Sequence, residues 1–214
     1  MVLIAALCLL SQESLRNPEV GDTRTYKTTA EYKLISRPSE VYEHQYQEKI
    51  KVLSKKNSEY ELEIRKRAIG MKIDGMSIPF DDDNEDMVRT VQLKTGTMLP
   101  ADEMVSTDAG TLLTDALTSI CFMPEPAQKW STEREIDNFG KLVWNFSAPD
   151  KGTERVVKGE ATFNGSPFAK STITYDKFGW PSKVKVEAKS PGVPLPGGDG
   201  SKHAFVFTRE LVSN

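Results

Sequence analysis

The sequence predicts a mainly β protein: a large antiparallel sheet, strongly curled or closed into a partial barrel and covered by one helix. Three observations carry that expectation. Residues alternate with a period of two, as in Tyr26, Thr28, Ala30, Tyr32 and Leu34 against Lys27, Thr29, Glu31 and Lys33, the pattern of a strand with one buried face. The connections between such stretches are too short for the crossovers that parallel strands need. One segment alone switches to helical spacing. Curling follows from sheet twist and from the need to cover the apolar face; two stacked sheets are the competing architecture.

The chain opens on Val2-Leu3-Ile4-Ala5-Ala6-Leu7-Cys8-Leu9-Leu10. A run of this length suits the apolar region of an export signal and falls short of the roughly 20 residues that span a bilayer. Residues 1–13 are therefore expected to be a signal peptide and 14–214 a single antiparallel β domain working outside the cytosol, in a periplasm or secreted. Two features depart from the usual signal: no Lys or Arg precedes the run, and Leu9-Leu10-Ser11-Gln12-Glu13 has no small-x-small cleavage site. A start assigned too far downstream accounts for the first. Leu7 immediately before Cys8 argues against a lipid anchor there.

The second long strand carries Tyr42, His44, Tyr46, Glu48, Ile50 and Val52 on one side. After the polar turn Lys55 to Ser58, Tyr60, Leu62 and Ile64 begin the third. Asp74-Gly75 is a hairpin turn, because tight turns require the positive φ this pair adopts readily. Asp81 to Asp86 forms an acidic loop, followed by a strand over Val88 to Leu93. The helix is expected near 108–122, since Ala109, Leu112, Leu113, Ala116, Leu117 and Ile120 share one stripe, with Thr111, Thr114, Asp115, Thr118 and Ser119 opposite. Thr107 or Asp108 caps its start and Pro124 forbids its continuation. Strands resume at Lys129 to Ile136 and Lys141 to Phe146, then around Val157 to Phe163, where Gly159 marks a bulge or a close approach. Ser171 to Tyr175 and Lys183 to Ala188 flank the turn at Asp176 to Trp180. The Pro/Gly segment Ser190 to Gly200, a candidate lid or partner-binding loop, precedes the last strand, Ala204 to Leu211.

Composition excludes several classes. With 28 Lys and Arg against 31 Asp and Glu, the formal charge is −3, so there is no basic stripe for nucleic acid. Cys121 is the only thiol beyond the signal, on the expected apolar stripe of the helix, and no internal disulfide can form. The sequence contains no nucleophile elbow, phosphate loop, dinucleotide fingerprint or zinc-protease helix. Asp81 to Asp86 lacks the Gly and Glu positions of a calcium-binding EF-hand loop, and two histidines with one thiol make a poor zinc set. No metal, cofactor or catalytic residue is expected. His44, Tyr46 and Glu48 share one side of a strand, which makes a base with a carboxylate neighbour conceivable, but strand histidines beside tyrosines commonly serve the core or its rim.

Five of the six tyrosines lie on the first three strands. Amphipathic rings on a concave sheet suit an apolar ligand with phenols at the rim. Tyr26, Tyr42, Tyr46 and Tyr60, with His44, are accordingly the candidate ligand-binding residues; the alternative is that the rings fill the core.

Short motifs carry a resemblance. Gly21-Asp22-Thr23-Arg24-Thr25-Tyr26 leads into a Tyr-rich strand, and Met123-Pro124-Glu125-Pro126 precedes a strand led by Trp130. This order resembles that of exported bacterial β-rich domains of uncharacterised function, with Gln128-Lys129 standing where Gly-Asp precedes the tryptophan. In outline it is also similar to the LolA-like lipoprotein-carrier half-barrels, whose curled sheet holds acyl chains. The resemblance implies a non-enzymatic role in the cell envelope, binding a protein partner or carrying a lipid or other apolar small molecule. It transfers no functional residue.

Overall fold

The structure, a computed structural model, describes residues 17–79, 84–100, 108–124, 128–136, 138–148 and 155–213. The expected signal, Cys8 included, lies outside them. The strands are β1 (Thr23–Leu34), β2 (Val41–Lys56), β3 (Glu59–Ile73), β4 (Met76–Ser77), β5 (Asn84–Gln92) and β6 (Thr97–Met98). After the helix α1 (Ala109–Thr118) come β7 (Lys129–Ile136), β8 (Gly140–Ser147), β9 (Arg155–Phe163), β10 (Ser166–Tyr175), β11 (Pro181–Pro194) and β12 (Lys202–Ser213).

All of these strands belong to one antiparallel sheet, in the order β6-β5-β3-β2-β1-β12-β11-β10-β9-β8-β7, with β4 paired to β3. Each half of the chain is a meander. The first and last long strands join the halves, with Tyr26 opposite Leu211 and Tyr32 opposite Phe205. The sheet curls until its two ends, β6 and β7, nearly meet, and Thr97 Oγ1 lies 3.4 Å from Thr132 Oγ1 across that seam. The partial barrel expected from the alternation is the observed fold, and α1 lies at the seam.

The inner face buries two apolar clusters. One gathers Trp144, Phe146, Phe205, Phe207, Val184 and Val186 against Leu113 and Leu117 of α1. The other gathers Tyr26, Tyr60, Leu62, Ile64 and Phe122 around Trp180. Turn chemistry supports the meander: Asp74 and Gly75 have φ of 51° and 79°, and Asn164 and Gly165 have 49° and 79°. Both pairs are hairpin turns of the type that favours Asn-Gly and Asp-Gly.

Four details correct the sequence reading. The helix stops at Thr118 rather than near 122, because Ser119 caps it and the chain turns to pair with β6: Met98 N donates to Ser119 O and Cys121 N to Gly96 O. Cys121 therefore sits on a buried post-helix strap, not on the helix stripe. Gly96 permits this, since its φ is +67° and a Cβ there would lie 1.9 Å from Phe122 O. The Ser190 to Gly200 segment is no lid in its first part, because β11 runs through it to Pro194, with Val193 buried and Leu195 packed on the core. Of the acidic run, Asp81 to Asp83 lie outside the described residues, whereas Asn84 to Asp86 belong to β5; Glu85 and Asp86 there face Lys66 and Arg65 at 3.8 Å. Finally, the polar side of α1 is turned towards protein rather than water, as the site below shows.

Candidate functional site

Along β2 the inner face divides in two. Glu48, Ile50 and Val52 are buried, whereas Tyr42 and Tyr46 are half-buried and His44 is exposed. Neighbours explain the change. Ile50 is flanked by Ile64, while His44 lies opposite only Ala30 on β1 and Met71 on β3, neither of which covers an imidazole. The outer part of this face is an aromatic ledge. Tyr42 stacks edge-on to His203 at 5.8 Å, His203 stacks in turn on Tyr32 at 6.3 Å, and Lys66 Nζ lies 5.8 Å from the Tyr46 ring. Tyr32 joins the ledge to the helix through a 3.0 Å hydrogen bond with Thr114.

Burial pushes the Tyr32 phenol up to about 12 and holds the Tyr46 phenol well above its ordinary value, the latter reinforced by the charge of Glu48. Desolvation against the flanking strands lowers the His44 imidazole even though part of the ring reaches solvent. These rings therefore present neutral, amphipathic surface at pH 7.

The predicted tyrosines do not form one surface. Tyr42, His44 and Tyr46 share the accessible ledge. Tyr26 and Tyr60 are fully buried in the second cluster, where Phe122 stacks on Tyr60 at 5.1 Å and the Tyr60 hydroxyl donates to Pro18 O at 2.9 Å. Nor do His44 and Glu48 make a base with its carboxylate. Glu48 points to the interior, where Oε2 accepts from Arg209 Nε at 2.7 Å and from Thr28 Oγ1 at 3.3 Å. Arg209 also donates to Ile120 O at 3.0 Å, tying the ion pair to the strap. His203, the second histidine, is buried with Nδ1 2.8 Å from Ser201 O.

A second polar constellation was not legible as a site in the sequence. Asp115 of α1 accepts from both ends of the Arg89 guanidinium on β5, at 2.8 and 3.2 Å, and lies 2.6 Å from Arg134 Nη1 on β7. Arg89 also donates to Leu99 O at 2.7 Å. One carboxylate thus holds guanidinium groups from both margins of the seam. Burial alone would raise the Asp115 carboxyl, but Arg89 and Arg134 outweigh it and keep it below the usual carboxylate range. The signal that could have found Arg89, and likewise the Arg209–Glu48 pair, is phase: Arg89 shares the inward register of Val91, Arg209 that of Phe207, and Glu48 that of Ile50. A charge in the apolar register of a strand must be paired or exposed.

Burial pushes the Cys121 thiol up to about 12, which leaves no thiolate for nucleophilic work. Among the described residues no group of three His, Cys, Asp or Glu side chains is placed to hold a metal, and no helix is long and apolar enough to cross a membrane.

The fold and the two constellations define a β-barrel-like protein with an aromatic ledge and a latched seam. No protein-family model and no curated protein matches the chain. A crystal structure of a β-barrel-like protein of the domain of unknown function DUF1849 from Brucella abortus is similar to it at 8% identity and a TM-score of 0.35, covering 91% of this chain and 97% of that one. The architecture described above rests on the strand pairings themselves.

Proposed function

We propose that this chain is an exported, non-enzymatic binding protein of the cell envelope whose contact surface is the ledge of Tyr42, His44 and Tyr46. The observation that supports it is the division of the β2 inner face, buried up to Glu48 and open beyond it, so that rings continuous with the core remain reachable from outside. Accessible aromatic side chains next to a rigid core are favourable anchors for a partner or ligand, because they lose little conformational entropy on contact. The apolar run at residues 2–10 supports export.

The second reading is a carrier of a lipid or other apolar small molecule. It is favoured by the packing of Tyr42 and Tyr46 against the larger apolar cluster. In that reading the ligand lies over the ledge and not beside Tyr26 and Tyr60, whose surroundings are filled.

One preparation tests both. The full chain is produced in a Gram-negative host, fractionated, and examined by N-terminal sequencing and native mass spectrometry. A shortened chain outside the cytoplasm supports export; an intact cytoplasmic chain overturns it. A co-purifying lipid that is lost in Tyr42→Ala/Tyr46→Ala selects the carrier, and a bare mass selects the binding protein without lipid cargo.

A further inference from the structure

Strand register carries the aromatic ledge beyond β2. Tyr42 lies opposite Ile73 on β3, and Ile73 lies opposite Met76 on β4, while His44 lies opposite Met71. Directly opposed residues of an antiparallel pair turn their side chains to the same face, so Met71 and Met76 lie on the ledge side of the sheet. These two rows hold no acidic side chain and no Lys or Arg. Lys72, between Met71 and Ile73, points to the other face and pairs there with Glu43 at 3.1 Å. On the ledge side the first charges, Glu48 and Lys66, stand opposite each other further along the two strands.

The methionines differ sharply in exposure. Met76, next to the Asp74-Gly75 turn, is 71% exposed, whereas Met98 and Met123 are buried in the core. Met71 is half-buried, and so is Met87, which packs against the second apolar cluster. A thioether is a soft, flexible apolar group that suits an adaptable contact surface. Its sulfoxide is polar and disrupts such surfaces.

We propose that Met76, with Met71 beside it, is an oxidation site at which a hydroperoxide converts the margin of the ledge from apolar to polar. With hydrogen peroxide, a sulfur lone pair attacks one peroxide oxygen and an S–O bond forms as the O–O bond breaks. The departing hydroxide takes the proton of the transferred hydroxyl and leaves as water, so sulfur is oxidised by two electrons and the peroxide is reduced. A thiol-dependent methionine sulfoxide reductase restores the thioether, two thiols becoming a disulfide and the oxygen leaving as water. Exposure and register alone single out the modified residues; the effect on contact rests on the binding role proposed for the ledge.

The test treats the folded full chain with graded hydrogen peroxide at pH 7, and peptide mass mapping follows each methionine. Binding of the uncharged apolar fluorophore N-phenyl-1-naphthylamine is measured on the same samples. Met76 is expected to gain one oxygen first and Met71 next, with Met98 and Met123 at least tenfold slower. Fluorophore affinity is expected to fall at least threefold as Met76 is oxidised, and to return after reductase treatment. Met71→Leu/Met76→Leu, or Met76→Leu alone should the double variant fail to fold, is expected to bind the fluorophore and to lose most of its sensitivity to peroxide. Oxidation of Met76 no faster than of Met98 and Met123 overturns the proposal, as does an equal loss of affinity in wild type and the leucine variant. An untreated wild type that binds no fluorophore, or binds it equally after Tyr42→Ala/Tyr46→Ala, counts against the ledge as a contact surface, and the order of oxidation then decides the modification site by itself.

Discussion

Arg209 Nε donates to Glu48 Oε2 at 2.7 Å across 161 residues of chain, and both side chains are only 3% exposed. The pair joins β12 to β2 across the intervening β1, and through Ile120 O it holds the strap that follows α1. A buried ion pair of this kind is weak evidence of net stabilisation, because desolvating both charges offsets much of their attraction.

Removing one partner is a different matter. Glu48→Gln leaves the Arg209 guanidinium buried without a counter-charge and is expected to cost about 3–5 kcal/mol. The double change Glu48→Leu/Arg209→Met removes both charges and is expected to recover most of that loss. Urea unfolding of the three proteins checks this; equal losses in the single and double variants would contradict the account.

Asp115 supplies a pH dependence with a definite sign. Its carboxyl is held below the ordinary value, so its contribution is fully present above the unfolded value of about 3.9 and is lost as pH falls through the lower folded one. Asp115→Asn is therefore expected to lower the unfolding midpoint near neutrality, and the gap from wild type is expected to narrow only below about pH 4. A gap that closes between pH 8 and 6 would point to another group.

At Gly96 the φ of +67° and the Phe122 carbonyl leave no room for a methyl group. Gly96→Ala is expected to cost at least about 1–3 kcal/mol from backbone strain, with a further loss as the strap is displaced. Calorimetry checks the size of the effect, and rising reactivity of Cys121 would report the displacement.

Native Cys121 is itself a probe. Burial raises its thiol to about 12, so at pH 8 it is neither ionised nor accessible. An aromatic disulfide reagent is expected to modify it only after unfolding, at a rate that follows denaturant. Rapid labelling of the native protein would show that the strap opens.

Much of the fold was legible because strand alternation is local. Tyr26 to Leu34 and Lys183 to Ala188 declare their inner and outer faces within a few residues, and Asp74-Gly75 declares its turn through backbone sterics alone. The candidate site was legible in part: Tyr42, His44 and Tyr46 were singled out on the right face. Their separation from Tyr26 and Tyr60 was not visible, because burial along one strand depends on what its neighbours and the strap place over it.

Sequence by itself determined a mainly β chain with one helix, the side of each strand that turns inward, and the turns that order the meanders. Tertiary structure alone decided that β1 joins β12, that α1 ends at Thr118 to let Ile120 pair with Thr97, and that Asp115 gathers Arg89 and Arg134 at the seam. The reason is physical. A period of two records which face is apolar, whereas the partner of a charge depends on register and on contacts between residues far apart in the chain, which no local pattern encodes.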